Sequence, residues 1–169
     1  MQKVGCAGYL CLILAICLLV LCLLTGCSDN YPEGLTFTCR DLTVTLPGDF
    51  IDLSGDGIAK DADFLYGRKT LIVMGLSEKK ADLKEMTLEE YTAYVIQGNQ
   101  LTCTPQRSGD GFLFSYETPV EGDAYTYVIA TFEGHTNFWI LQFYCPTANF
   151  SENKPEIDII LEGIRPNVS

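Results

Sequence analysis

AYTYVIATFEGHTNFWILQFYC, residues 124–145, is the stretch that decides the fold of this chain. It holds two apolar runs, Ala124 to Glu133 and Asn137 to Cys145, parted by Gly134-His135-Thr136-Asn137. β-Branched and aromatic residues dominate both runs and the break between them is short, which is the pattern of a β-hairpin. In the second run Trp139, Leu141 and Phe143 alternate with Phe138, Ile140 and Tyr144, so both faces are apolar, with Gln142 the exception. A strand apolar on both faces belongs in mid-sheet, with a layer covering each side.

Working outward, two further runs precede the hairpin. Gly111 to Thr118 leads into Glu121-Gly122-Asp123, and Leu101 to Gln106 leads into Ser108-Gly109-Asp110-Gly111, which predicts an antiparallel meander of four strands. Before it, Thr87-Leu88-Glu89-Glu90 has the spacing of a capping box, and Leu88, Tyr91 and Val95 keep one helical face apolar until Gly98-Asn99. Ser77 to Met86 is charged and reads as a connection. Ala62 to Tyr66 and Thr70 to Leu76 read as a hairpin around Gly67-Arg68-Lys69. Leu35, Phe37 and Cys39 alternate with polar residues, and the phase slips at Arg40-Asp41 before Leu42, Val44 and Leu46. That pattern fits one bulged strand or two short ones, ended by Pro47-Gly48. Downstream, Pro146 stops the last strand. Ser151 or Asn153 can cap a final helix with Pro155 in its first turn and Ile157, Ile160, Leu161 and Ile164 on one face, closed by Gly163 and Pro166.

The strand ending in Leu46-Pro47, the Thr87-x-x-Glu90 helix, the meander with Phe138-Trp139 in its last strand, and the C-terminal helix resemble, in order and spacing, the PsbP-like α/β/α sandwich. The resemblance covers about residues 35 to 166. It implies an α+β fold with a central antiparallel sheet and helices on both faces, as a single domain spanning residues 35–169. It implies little about function, because this fold hosts unrelated binding roles.

The N-terminal segment speaks to location. Lys3 is followed by an uncharged apolar run from Tyr9 to Leu24, shorter than the roughly 20 residues of a comfortable membrane helix. Leu24-Thr25-Gly26-Cys27 then resembles the lipobox of bacterial lipoproteins, in which a diacylglycerol joins the thiol and a peptidase cuts just before the Cys. On this reading residues 1–26 are a lipoprotein signal peptide, Cys27 is the lipid attachment residue, and residues 27–34 are a short tether broken by Pro32 and Gly34. The chain would sit on the extracytoplasmic face of a cell membrane, held by acyl chains that each contribute about 0.8 kcal/mol per buried methylene. The alternative is an uncleaved anchor helix that Cys27 merely ends.

Charge and cysteine content limit the remaining possibilities. The 169 residues carry a formal charge of -11. Losing Lys3 with the signal segment would make it -12. So acidic a chain is a poor candidate for nucleic acid, whose phosphates need Lys and Arg. Cys6, Cys11, Cys17 and Cys22 lie in the apolar segment. That leaves Cys39, Cys103 and Cys145 in the domain, which allow either one disulfide with a spare thiol or three buried thiols.

Three sets of residues qualify as candidate sites. Asp52 to Asp63 places oxygen-bearing residues and a glycine at the spacing of a calcium loop, against Ser54 at its third position, Lys60 at its ninth, and the alternative of a plain acidic surface loop. His135, the single histidine, would serve an extracytoplasmic enzyme only if Cys103 or Cys145 came beside it, and is otherwise a solvent-exposed turn residue. Tyr125, Tyr127, Phe138, Trp139, Phe143 and Tyr144 form either core or a groove for a sugar or peptide. No hydrolase, zinc-protease, phosphate-loop or dinucleotide motif is present, so neither a catalytic residue nor a metal or cofactor site is assigned. The function expected is a non-catalytic binding or accessory module with an envelope protein as a possible partner.

Overall fold

In the computed structural model of the chain the described residues are 34–57, 59–84 and 86–167; Cys27 and the rest of the N-terminal segment lie outside them. The elements run β1 (Leu35–Cys39), β2 (Leu42–Leu46), β3 (Ile51–Asp52), β4 (Phe64–Arg68), β5 (Leu71–Lys79) and α1 (Leu88–Gly98). They continue with β6 (Gln106–Ser108), β7 (Gly111–Val120), β8 (Asp123–Glu133), β9 (Asn137–Pro146), α2 (Phe150–Glu162) and β10 (Arg165–Pro166). Seven strands form an antiparallel sheet in the order β3-β4-β5-β9-β8-β7-β6, and β1-β2-β10 form a second, smaller sheet.

The two-faced apolar pattern of β8 and β9 is resolved as expected, since both are interior strands. On one face, Leu88, Tyr91, Val95 and Ile96 of α1 pack on Phe112, Phe114, Ile129 and Phe138. On the other, Ile157 and Ile160 of α2, with Leu42, Val44 and Leu46 of the small sheet, cover Val73, Phe132, Trp139, Leu141 and Phe143. Adjacent Phe138 and Trp139 thus enter different cores, and each fully buried side chain of this size contributes about 2 to 3 kcal/mol. The capping box at α1 is formed as well: the Glu90 N–H donates to Thr87 Oγ1 at 3.3 Å and the Thr87 N–H to Glu90 Oε2 at 2.8 Å.

Residues 35–46 are two short strands, the second of the two readings, because Arg40, with φ at 52°, and Asp41 make a tight turn. Three expectations are corrected. The run from Leu101 is not a strand until Gln106: the Leu101 N–H belongs to the end of α1, bonding Ile96 O at 3.0 Å, and Pro105 has no N–H to offer a ladder. Ser77 to Lys79, read as connection, continues β5 opposite Asn137 to Trp139, with the charges of Glu78 and Lys79 left exposed. The final helix starts at Phe150, led in by a turn of 3-10 helix over Thr147–Asn149 and capped by no side chain. Asn153 is instead buried, its amide donating to Thr70 Oγ1 and to Asn149 O, both at 3.1 Å, and Pro155 lies beyond the first turn.

One carboxylate ties the two sheets together. Asp41, only 9% exposed, accepts from the backbone N–H of Thr136 at 2.7 Å and of Asn137 at 3.1 Å, from the Asn137 amide at 3.0 Å, and from the Trp139 indole at 2.7 Å. Thr136 Oγ1 adds a fifth bond at 3.2 Å. Burial by itself would raise the carboxyl's pKa, but the hydrogen bonds from Thr136, Trp139 and Asn137 outweigh it and hold the value at about 2. Gly134 is required beside this knot, since a Cβ there would lie 2.6 Å from the carboxyl carbon of Asp41. The result is a β8–β9 turn pinned in place with His135 at its tip.

Candidate functional site

His135 is exposed in that turn, its backbone N–H donating to Asn167 O at 2.8 Å. It lines a cleft with Lys80, Thr87, Glu89, Arg107 and Glu133. No thiol joins it: Cys145 lies at the far end of β9, eight strand steps from Asn137, or about 26 Å. Cys103 borders a different cavity, with Phe114, Phe150 and Ile157. The structure therefore does not bring His135 and a cysteine together. Cys39, Cys103 and Cys145 are all unbridged, and burial pushes each thiol above its ordinary range. Of the two readings of the domain cysteines, the one without a bridge describes the fold, though only Cys145 is buried and Cys39 and Cys103 are half-buried.

In the Asp52 to Asp63 loop both terminal carboxylates are engaged within the fold, Asp52 at the surface and Asp63 half-buried. Asp52 accepts from the Ser54 N–H at 2.8 Å, closing its own turn. Asp63 pairs with Arg40 at 2.7 Å and accepts from Ser77 Oγ at 2.6 Å. Among the described residues no group of three or more His, Cys, Asp or Glu side chains is placed to hold a metal ion. The loop's ends are thus explained by a local turn at Asp52 and by the ties of Asp63 to Arg40 and Ser77.

The aromatic set divides. Phe138, Trp139 and Phe143 are fully buried core. Tyr127 and Tyr144 are half-buried on the α1 face and, with Tyr116, which the sequence reading did not single out, form a row across β7, β8 and β9. Ring centroids are 5.0 Å apart between Tyr116 and Tyr127 and 5.4 Å between Tyr127 and Tyr144, with interplanar angles of 2° and 18°. Such spacing follows the distance between strands. The facing surfaces of the rings are covered by one another, so the inner part of the row offers hydroxyls and ring edges rather than the open ring face that a stacked sugar needs. Burial pushes the phenol pKa of all three upward, so they remain neutral hydrogen-bonding groups.

This row continues into an uncharged field. Register places Gln142 beside Tyr144 on β9 and Ile72 and Met74 opposite them on β5, all half-buried on the same face. Among the described residues α1 is the only helix on this face, and it covers Phe112, Phe114, Ile129 and Phe138 at the other end. Ile51, 63% exposed, extends the field at the sheet edge. Glu78 and Asp123 stand at its margins. Uncharged side chains with tyrosines inside a charged surround match the composition of protein interface cores.

No family model matches the sequence, and no curated protein matches it. Solved structures do. A Bacteroides thetaiotaomicron protein aligns at TM-score 0.57 and 12% identity over 81% of this chain, which spans about half (49%) of that protein's length. The Ran-binding protein Mog1p of Saccharomyces cerevisiae aligns at TM-score 0.54 and 12% identity, covering 80% of this chain and 96% of its own. Cyanobacterial PsbP (CyanoP) from Synechocystis aligns at TM-score 0.52 and 9% identity, covering 85% and 98%. Likeness at such identity establishes fold and nothing finer: the chain is an α+β sandwich of the architecture shared by PsbP and Mog1p.

Proposed function

We propose that this protein is a lipoprotein whose domain, tethered through Cys27 to the extracytoplasmic face of a membrane, acts as a non-catalytic accessory module for an envelope protein. The single observation that carries the binding role is the tyrosine row of Tyr116, Tyr127 and Tyr144 within an uncharged, half-open sheet face. The partner's chemistry follows from charge. A molecule of net charge -11 with acids at the margin of an apolar field suits a protein that presents an apolar patch ringed by Lys or Arg. The N-terminal motif supports the tether, and among the described residues no helix is long and apolar enough to cross a membrane. A non-catalytic role is supported by the separation of His135 from Cys103 and Cys145 and by thiols that burial makes less reactive.

Site-specific photocrosslinking in intact cells tests the reading. A crosslinker at Tyr127 or Tyr144 should give one discrete adduct that weakens as salt is raised, whereas the same group at Glu152 on α2 should give none. Equal adducts from both faces would remove the proposal. The tether has its own test, since Cys27→Ala should abolish labelling by a palmitate analogue and release the protein from the membrane fraction.

A further inference from the structure

The cleft beside His135 has a volume of about 680 Å3 and opens between the first turn of α1, the β6–β7 hairpin and the β8–β9 turn. That volume lies within the range of small-molecule sites. Its charged groups are not equivalent. Lys80 is committed: its Nζ lies 2.6 Å from Glu133 Oε1, 3.5 Å from the Gly134 carbonyl and 5.6 Å from the centre of the Phe138 ring. Arg107 is not. Among the described residues it has no carboxylate partner and donates no side-chain hydrogen bond, and its guanidinium lies 5.5 Å over the Phe112 ring that helps wall the cleft. A guanidinium placed over a ring in this way keeps its N–H donors free, a state suited to receiving a carboxylate in two-pronged fashion. Glu89 and Asp110 also line the cleft and also lack a cationic partner among the described residues.

Charge balance selects the ligand class. With Lys80 and Glu133 offsetting one another, among the described residues one free cation faces two free carboxylates. A simple anion would gain at Arg107 and be repelled by Glu89 and Asp110, and a simple cation would leave Arg107 desolvated without a partner. A molecule bearing both charges gains at both ends. We propose that this cleft binds a small zwitterion, an amino acid or short peptide, whose carboxylate docks on Arg107 and whose ammonium is received by Glu89 and Asp110. The site lies at the α1 N-terminal end of the sheet, apart from the tyrosine row, and stands independently of any protein partner.

Calorimetric titration of the full-length chain in detergent micelles with trialanine, N-acetyl-trialanine and trialanine amide tests the proposal. Free trialanine should bind, and each blocked form, lacking one charge, should bind at least about tenfold more weakly. Arg107→Gln, an exposed substitution, should lower the affinity for trialanine about tenfold with the melting temperature unchanged, and Glu89→Gln with Asp110→Asn should lower it similarly. Absence of trialanine binding at about 10 mM, equal affinity for the blocked peptides, or an Arg107→Gln protein that binds as well as the parent would each overturn it.

Discussion

Replacing Asp41 by Asn exchanges one carboxylate oxygen for an NH2 group while keeping the shape of the side chain. In the parent, Oδ1 accepts from Asn137 Nδ2 and Trp139 Nε1, and Oδ2 accepts from two backbone N–H groups and the Thr136 hydroxyl. Whichever oxygen is lost, a donor then faces at least two donors in a buried site. We expect Asp41→Asn to lose about 3 kcal/mol at pH 7, which leaves a domain of ordinary stability folded. The pKa supplies a second measure. A fall from 3.8 to about 2 is nearly two units, or about 2.5 kcal/mol at 1.36 kcal/mol per unit. The folded carboxyl holds its proton more weakly than the unfolded one, so this contribution is present in full above about pH 4 and is lost as the pH falls toward 2. Urea unfolding of residues 28–169 followed by circular dichroism, at steps from pH 7 to pH 2, would read both quantities. The gap between parent and Asp41→Asn should be widest above pH 4 and close on acidification. A gap under about 1 kcal/mol at pH 7, or one that stays constant between pH 5 and pH 2, would refute the reasoning.

Other expectations follow from single groups. The Tyr91 hydroxyl is buried against Phe138 with no hydrogen-bond partner among the described residues, so Tyr91→Phe should leave the melting temperature unchanged or raise it. A loss beyond about 1 kcal/mol would mean that the hydroxyl is bonded after all, the Glu78 carboxylate being the nearby acceptor. Thr87→Ala removes the acceptor for the Glu90 N–H and should cost about 1 kcal/mol, read as faster amide exchange in the first turn of α1, with Thr87→Ser restoring most of the protection. Denatured, unreduced protein of residues 28–169 should titrate three thiols, and in the native state Cys145, 1% exposed, should react last; a count of one thiol would establish a bridge.

The features legible in the sequence were those written in local period and cap chemistry. β9 announced its central position through alternation on both faces, and α1 announced its start through Thr87 and Glu90. What stayed hidden depends on contacts across long stretches of chain. Nothing around Asp41 signals that its acceptors will be used by residues 95 to 98 positions later. The start of α2 was misplaced because Ser151 and Asn153 look like caps by type, while the 3-10 turn after Pro146 sets the entry and Asn153 is drawn inward to Thr70. Tyr116 looked ordinary until the β7–β8 register set it opposite Tyr127. Arg107 likewise gains meaning only through the hairpin that lays it over Phe112.

The small sheet carries a consequence for how the molecule comes into being. β2 pairs with β1, its immediate predecessor, on one side, and with β10, made from Arg165 and Pro166, on the other. Asn167 adds to the closure, its N–H bonding Asp41 O at 2.8 Å while its carbonyl accepts from His135. The first hairpin of the domain is therefore sealed by its last residues. The meander pairs strands that are neighbours in sequence and can form early, but this closure joins Arg165 to Thr43 and Pro166 to Leu42, and such long-range pairing is slow by nature. Removing Arg165 to Asn167 would therefore unfasten the β1–β2 hairpin.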